Sequence, residues 1–273
     1  MIRSLWTGAT GMLAQQTNLD VIANNLSNVN SVGYKSQAAE FKSLLYQTIQ
    51  DDTTLSDGTP KPTNAQVGLG TRNSAINSSF TQGNITQTES DTDFAIVGDG
   101  FFGIRGADGN TYYTRNGSFQ WSLGPNNTLQ LTTAEGNQVL NSKGAAISLN
   151  RNTYQTSKIS ISAEGEICYP DATGNPASLG ISIGVYQFNN PQGLANEGDT
   201  TYLATDASGP AINEATNNNV EKSIIRQGFL ESSNVQVADE MVNMIVAQRA
   251  YEFASKVITT SDTMMEQANN LKR

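Results

Sequence analysis

The sequence has no histidine and a single cysteine, Cys168. Those two absences remove Ser-His-Asp and Cys-His catalysis, and any zinc site built from Cys and His ligands. A lone cysteine also forbids an intrachain disulfide; it leaves the redox compartment open, and its default reading is a small strand residue. Long apolar runs are missing too. With no stretch of about 18 apolar residues, no helical membrane span is expected. Positive charge is scarce, with 16 Lys and Arg against 25 Asp and Glu for a net charge of −9. The first 30 residues are neutral and residues 232–273 carry −1, so residues 31–231 hold −8. An acidic middle is a poor match for nucleic acid and suits a soluble, self-repelling surface. The opening MIRSLWTGATGMLAQQ shows no small-residue cleavage site behind an apolar core, so it does not read as a secretory signal. Retention in the cytoplasm and export without cleavage both stay open.

What is present is unevenly spread. The six Met residues all lie at positions 1, 12, 241, 244, 264 and 265, in the two ends. In the first end, Ile2, Leu5, Ala9, Met12, Gln16, Leu19, Ala23 and Leu26 recur at alternating steps of three and four, which predicts a helix over roughly 2–28 with a heptad seam. Gly8 and Gly11 weaken it by about 1 kcal/mol each relative to Ala, and Val32-Gly33-Tyr34 offers a stop. The last end repeats the spacing through Met244, Ala247, Tyr251, Ala254, Ile258, Ser261, Met265 and Ala268, predicting a helix over about 236–271. Ser232, Ser233 and Asn234 provide N-cap chemistry, Asp239 and Glu240 suit the start of the helix dipole, and Lys272 and Arg273 suit its end.

Each seam alternates a large column (Leu5, Met12, Leu19, Leu26; Met244, Tyr251, Ile258, Met265) with a column of mostly small residues, the pattern by which facing helices interdigitate. A helical hairpin is the simplest reading. Further apolar residues lie off the seams: Trp6, Leu13, Ile22, Val242, Ile245, Val257 and Leu271. They widen the stripe beyond what one partner helix covers, so additional packing partners are expected.

The middle reads as short strands joined by turns, consistent with 24 glycines and only 37% hydrophobic residues. Phe94–Val97 and 101–104 flank Gly98-Asp99-Gly100, which predicts a hairpin. Runs at 112–114, 118–121, 129–132, 159–162, 181–188 and 202–204 extend an antiparallel sandwich or barrel. The polar, proline-containing 50–66 reads as an extended arm or loop. The fold class is therefore α+β: long N- and C-terminal helices forming a coiled-coil-like core domain, with an antiparallel all-β middle domain. The expected division is 1–30 with 232–273 for the helical core, 31–75 with 218–231 for a connecting arm, and 76–217 for the β-rich domain.

Chemical motifs are weak. Residues 98–103 spell G-x-G-x-x-G, but a strand and not a helix follows, so a turn is expected in place of a nucleotide loop. Asp91, Asp93 and Asp99 lack the close oxygen-ligand spacing of a calcium loop. Glu164 and Glu166 alternate with Gly165 in a hairpin-turn pattern, where both can point to solvent rather than toward one glycosidic bond. Trp6 and Trp121 are expected in packing more than as carbohydrate platforms. No catalytic, cofactor or metal residues are assigned.

The stretch ANNLSNVNSVGYK at 23–35, with the preceding IRSLWTGATGMLAQQTNLDVI, closely resembles the N-terminal signature of flagellar rod and hook proteins. AQRAYEFASKVITTSD at 247–262 is similar to their paired C-terminal signature, and VGDGFF, YTRNGSF and RQGFLESSNV resemble family motifs between. The signature residues are Asn24, Asn25, Asn28, Gly33, Arg249 and Tyr251. The resemblance implies a structural subunit and no enzyme. It implies export through the flagellar type III apparatus, location in the periplasmic rod of the basal body, and helical self-assembly into a hollow tube. Terminal helices would form the tube's inner core through Leu5, Met12, Leu19, Leu26, Met244, Tyr251, Ile258 and Met265. Implied partners are copies of the chain, proximal rod proteins, hook or hook-junction proteins, and ring proteins where an outer membrane exists. The segment 46–72 is similar to the longer insertion of distal rod members, whereas SLGPNN at 122–127 departs from the family pattern. A proximal rod or hook subunit is the alternative within the family; a secreted polysaccharide-acting enzyme or adhesin is the alternative outside it.

Overall fold

The computed structural model describes residues 2–50, 65–171, 175–217 and 220–271. The chain forms two compact units: 1–27, 37–78 and 236–273 make one, and 28–36 with 79–235 make the other. Most of the polar segment at 50–66, and Lys272 and Arg273, lie outside the described residues. The expected connecting stretches are divided between the units. Residues 37–78 cluster with the helices, and 224–231 supply strands to the β unit.

In the helical unit, α1 spans Ile2–Ser27 and α2 spans Val237–Asn270. They run antiparallel, since Ser4 Oγ lies 3.0 Å from Ser261 Oγ while Asn25 reaches Glu240 near the other end. A two-stranded ribbon accompanies them. Gln37–Ser43 pairs with Thr71–Ser78, and Tyr46–Gln50 pairs with Ala65–Gly68. The two stretches are bridged where Leu44 N donates to Gly70 O at 2.9 Å and Leu69 N to Leu45 O at 3.2 Å. The ribbon base rests on α1: a Cβ on Gly70 would meet the Thr10 hydroxyl, and only glycine fits there.

The N-cap of α2 is Gln236, with no side-chain cap hydrogen bond. This corrects the cap expected from Ser232, Ser233 and Asn234. Asn234 is committed elsewhere, accepting from Ser36 N at 2.7 Å and donating to Ser79 O at 2.9 Å. Asp239 and Glu240 do occupy the first turn, where carboxylates suit the dipole.

The β unit is antiparallel throughout its named strand pairs. Ten strands form one sheet, whose main path runs Ser148–Asn150, Thr128–Thr132, Gln138–Val139, Phe101–Arg105, Thr111–Thr114, Thr201–Leu203, Ala195–Gly198. Ser160–Ile161, Glu166–Pro170 and Pro176–Ser182 make a smaller sheet, and Gly165 (φ +81°) turns its first hairpin as expected. Phe101–Arg105 shows the period-two logic of a strand buried on both faces. Phe102 and Ile104 enter a core with Phe94, Ile96, Phe119, Leu131 and Ile167. Phe101 turns the other way, into an aromatic cluster with Tyr113, Tyr186, Phe188 and Tyr202.

The hairpin expected across Gly98-Asp99-Gly100 does not form. Phe94–Val97 pairs instead with Ile224–Gln227, and Phe101–Arg105 pairs with Thr111–Thr114, Gln138–Val139 and Val185–Gln187. Gly98 at φ +128° redirects the chain, and Gly100 N is bound by Ser223 Oγ at 3.1 Å. Long-range strand pairing overrode a good local turn signal.

Candidate assembly site

Most α2 residues spaced as a seam are enclosed, but Tyr251 and Ala268 are exposed. Ala247 and Ser261 are buried, Met244, Ala254, Ile258 and Met265 are half-buried, and Tyr251 is 40% exposed. On α1 the enclosed face lies about one residue from the expected seam. Gly8, Ala14, Val21, Ile22 and Asn25 are buried, whereas Leu5, Met12, Leu19 and Leu26 are half-buried. Gly8 and Gly11 are thus contact residues: Cβ atoms there would lie 2.9 Å from Ile258 Cγ1 and 3.8 Å from the Ala254 Cβ, respectively. Missing side chains let the helices approach closely, and the large column of α2 fills the space. The ribbon takes a second flank of α1, so that helix orients to two partners at once.

Outward from this pairing both helices stay apolar. Trp6 is 66% and Leu13 64% exposed on α1, and Met241, Val242, Ile245, Val246, Phe253 and Val257 are exposed on α2. On the ribbon, Leu45, Tyr46 and Ile49 are exposed as well. Of the off-seam residues named from sequence, only Ile22 is buried. Exposed apolar groups distributed over one unit in this way are the kind of surface that protein–protein contacts use.

Most of the signature residues make defined contacts within the chain. Asn25, 1% exposed, mimics a strand partner: its Oδ1 accepts from Gln37 N at 2.9 Å and its Nδ2 donates to Gln37 O at 2.8 Å. It also donates to Glu240 Oε1 at 3.3 Å, tying ribbon, α1 and α2 together. Burial raises the Glu240 carboxyl above its usual value, against the lowering effect of the Asn25 bond. Asn24 reaches the Gln37 side chain, and Asn28 Oδ1 accepts from Ser31 Oγ at 3.0 Å. Gly33, at φ +68°, presses on the Arg115–Asn116 backbone, where a Cβ would sit 2.6 Å from Asn116 N. Arg249 is exposed and pairs with Glu252 at 2.9 Å.

The β unit holds a buried ion cluster. Lys35 Nζ donates to Glu231 Oε1 at 2.7 Å and to Thr81 O at 2.8 Å. Arg115 Nη1 lies 3.3 Å from Glu231 Oε2, its Nη2 donates to Gly98 O at 2.7 Å, and its guanidinium sits 5.1 Å above the Phe101 ring. Glu231 Oε1 also accepts from Gly83 N at 2.8 Å. All three charged side chains are 1% exposed. Burial holds the Lys35 ammonium below its ordinary pKa, Arg115 adds to that, and Glu231 opposes it.

Three family descriptions match the chain: flagella basal body rod protein over 5–35, flagellar hook protein FlgE/F/G D1 domain over 95–169, and flagellar basal body rod FlgEFG protein C-terminal over 226–271. The chain is 44% identical to the flagellar basal-body rod protein FlgG of Borreliella burgdorferi, and the match covers all of both chains. It is 37% identical to the FlgG of Bacillus subtilis, again over all of both. The chain belongs to the flagellar basal-body rod protein family. A further relative, the flagellar hook-basal body complex protein FlhP of Bacillus subtilis, is 31% identical over the full length of both chains.

The three family matches map onto the cluster. Lys35 ends the first, Arg115 lies within the second and Glu231 lies near the start of the third. Motifs up to 196 positions apart therefore meet at one buried carboxylate. The sequence signal was a charged residue inside each motif, Lys35 and Arg115 alone in theirs and Glu231 beside Arg226, which does not reveal the pairing.

A cleft of about 620 Å³ in the β unit is lined by Glu164, Glu166, Glu214 and Lys222 over an apolar floor. Its buried carboxylate, Glu214, accepts from Gln187 Nε2, Ser223 Oγ and Ser223 N, each at 2.8 Å, which is a structural engagement. Among the described residues no group of three or more His, Cys, Asp or Glu is placed to hold a metal.

Proposed function

We propose that this chain is a structural subunit of the flagellar rod, polymerising helically through its terminal helices into the distal part of a hollow drive shaft that transmits torque from motor to hook. The observation that carries this reading is the apolar outer surface of α1 and α2, whose own pairing is made largely with glycine, alanine and serine. Large side chains remain available for other copies. In the assembled tube the half-buried Leu5, Met12, Leu19 and Leu26 continue that surface, and Met244, Tyr251, Ile258 and Met265 line a coiled-coil-like core. Full-length similarity to rod proteins named FlgG supports the same reading. Export through the flagellar type III apparatus, a periplasmic location, and neighbours among proximal rod, hook or hook-junction and ring proteins follow from it. Chemistry plays no part: the role is mechanical, with no enzyme activity and no cofactor.

The test introduces Val246→Asp and Phe253→Asp into the gene and images basal bodies by electron cryotomography. The purified variant should keep its circular dichroism spectrum while cells lose the distal rod and hook. Normal rods in such cells would sink the reading. The similarity to FlhP favours a second position within the hook-basal body complex. Deleting the gene separates the two: a short rod without a hook marks the distal rod, and a full rod lacking a hook marks the outer position.

A further inference from the structure

The β unit joins the helical unit at four points of the chain, 27/28, 36/37, 78/79 and 235/236. Inside the β unit, the segments next to those points have little sheet to hold them. Phe229–Glu231 pairs only with Ile85–Gln87, while 28–36 contains no strand. Side chains and single backbone bonds outside any ladder make the joins. Glu231 gathers Lys35, Arg115 and Gly83 N, and its backbone oxygen accepts from Gly33 N at 2.8 Å. Asn234 binds Ser36 N and Ser79 O, and Ser79 N closes the circuit on Ser36 O at 2.7 Å.

This arrangement is a costly way to add stability. Two buried cations face one anion, and Arg115 Nε has no hydrogen-bond partner. Apolar side chains of similar volume in place of a buried ion triad are often neutral or stabilising. In some proteins buried charges serve instead to specify one register, since a slipped pairing leaves a buried charge alone.

We infer that Lys35, Arg115 and Glu231 are positioning residues: they fix the register in which the chain passages of the β unit lie side by side, and assembly requires that register. The amide-protection part of this inference stands on the β unit alone. Its assembly part rests on the rod-subunit reading.

The experiment uses the full chain carrying Lys35→Met, Arg115→Met and Glu231→Leu together, and separately Glu231→Gln. The expected triple variant melts within about 4 °C of the parent, while the Gly33, Ser36 and Ser79 amides exchange at least about tenfold faster. Cells relying on it build short rods or none, and cells carrying the parent gene build normal ones. Unchanged exchange at those amides overturns the inference, whatever the rods do. Faster exchange with normal rods overturns the assembly part and leaves the rod-subunit reading untouched. If the triple variant fails to fold, Glu231→Gln decides: a folded protein with fast-exchanging amides supports positioning, and loss of the cooperative melt shows that the cluster serves stability, which overturns it.

Discussion

Gly8 of α1 faces Ile258 of α2 so closely that a Cβ on the glycine would sit 2.9 Å from Ile258 Cγ1. Gly11, one turn on, has more room, with its nearest neighbour, the Ala254 Cβ, at 3.8 Å. Two glycines that weaken the helix equally by propensity therefore differ in their packing.

Substitution separates them. Gly11→Ala fits as van der Waals contact and should stabilise the helical unit by up to about 1 kcal/mol through helix propensity. Gly8→Leu overpacks the pairing and should cost on the order of 1–3 kcal/mol. Far-UV circular dichroism during thermal unfolding measures both. Equal effects in the two variants would remove the glycine-mediated contact from the account.

Glu240 gives the helical unit a pH signature. Burial raises its carboxyl above the usual value of 4.5 in the folded chain. The folded state therefore holds the proton more tightly, so its contribution is full below pH 4.5 and is lost as pH rises through the folded value. Relative to Glu240→Gln, whose amide oxygen still accepts from Asn25, the parent should lose helical-unit stability between pH 4.5 and neutrality. A parallel course for both proteins over that range would refute it.

The aromatic cluster predicts the alkaline limit of the β unit. Burial raises the phenols of Tyr113, Tyr186 and Tyr202 above the usual value of 10.0. Raised acids stabilise the fold below pH 10 and lose that contribution as the pH climbs through their folded values. Tyrosinate absorbance from these three should appear together with loss of near-UV circular dichroism. Tyr202→Phe should move the transition to higher pH.

The Ala195–Gly198 and Thr201–Leu203 hairpin turns through Asp199 and Thr200, both at positive φ (48° and 56°). A β-branched residue pays for that left-handed conformation by roughly 1 kcal/mol or more. Thr200→Gly should therefore raise the denaturant midpoint of the β unit, worth up to about 1 kcal/mol, despite losing the Thr200 hydroxyl bond to Asp199 O. A lowered midpoint would mean that the hydroxyl outweighs the backbone.

Sequence by itself determined the two helices nearly to their ends, the antiparallel character of the middle, and the family, and it placed Met244, Ala247, Ala254, Ile258, Ser261 and Met265 on the enclosed side of α2. These are local or periodic properties: a seam recurring every three or four residues survives in any context that buries one face. Tertiary structure decided which face of α1 meets α2, because that depends on glycines whose value appears only when a second helix and the ribbon crowd the first. It decided that Phe94–Val97 joins Ile224–Gln227 across Gly98, since a turn motif states that the chain can reverse and not which strand awaits it. It also brought Lys35, Arg115 and Glu231 together, because charges remote in sequence acquire their meaning only from sharing a site that water has left.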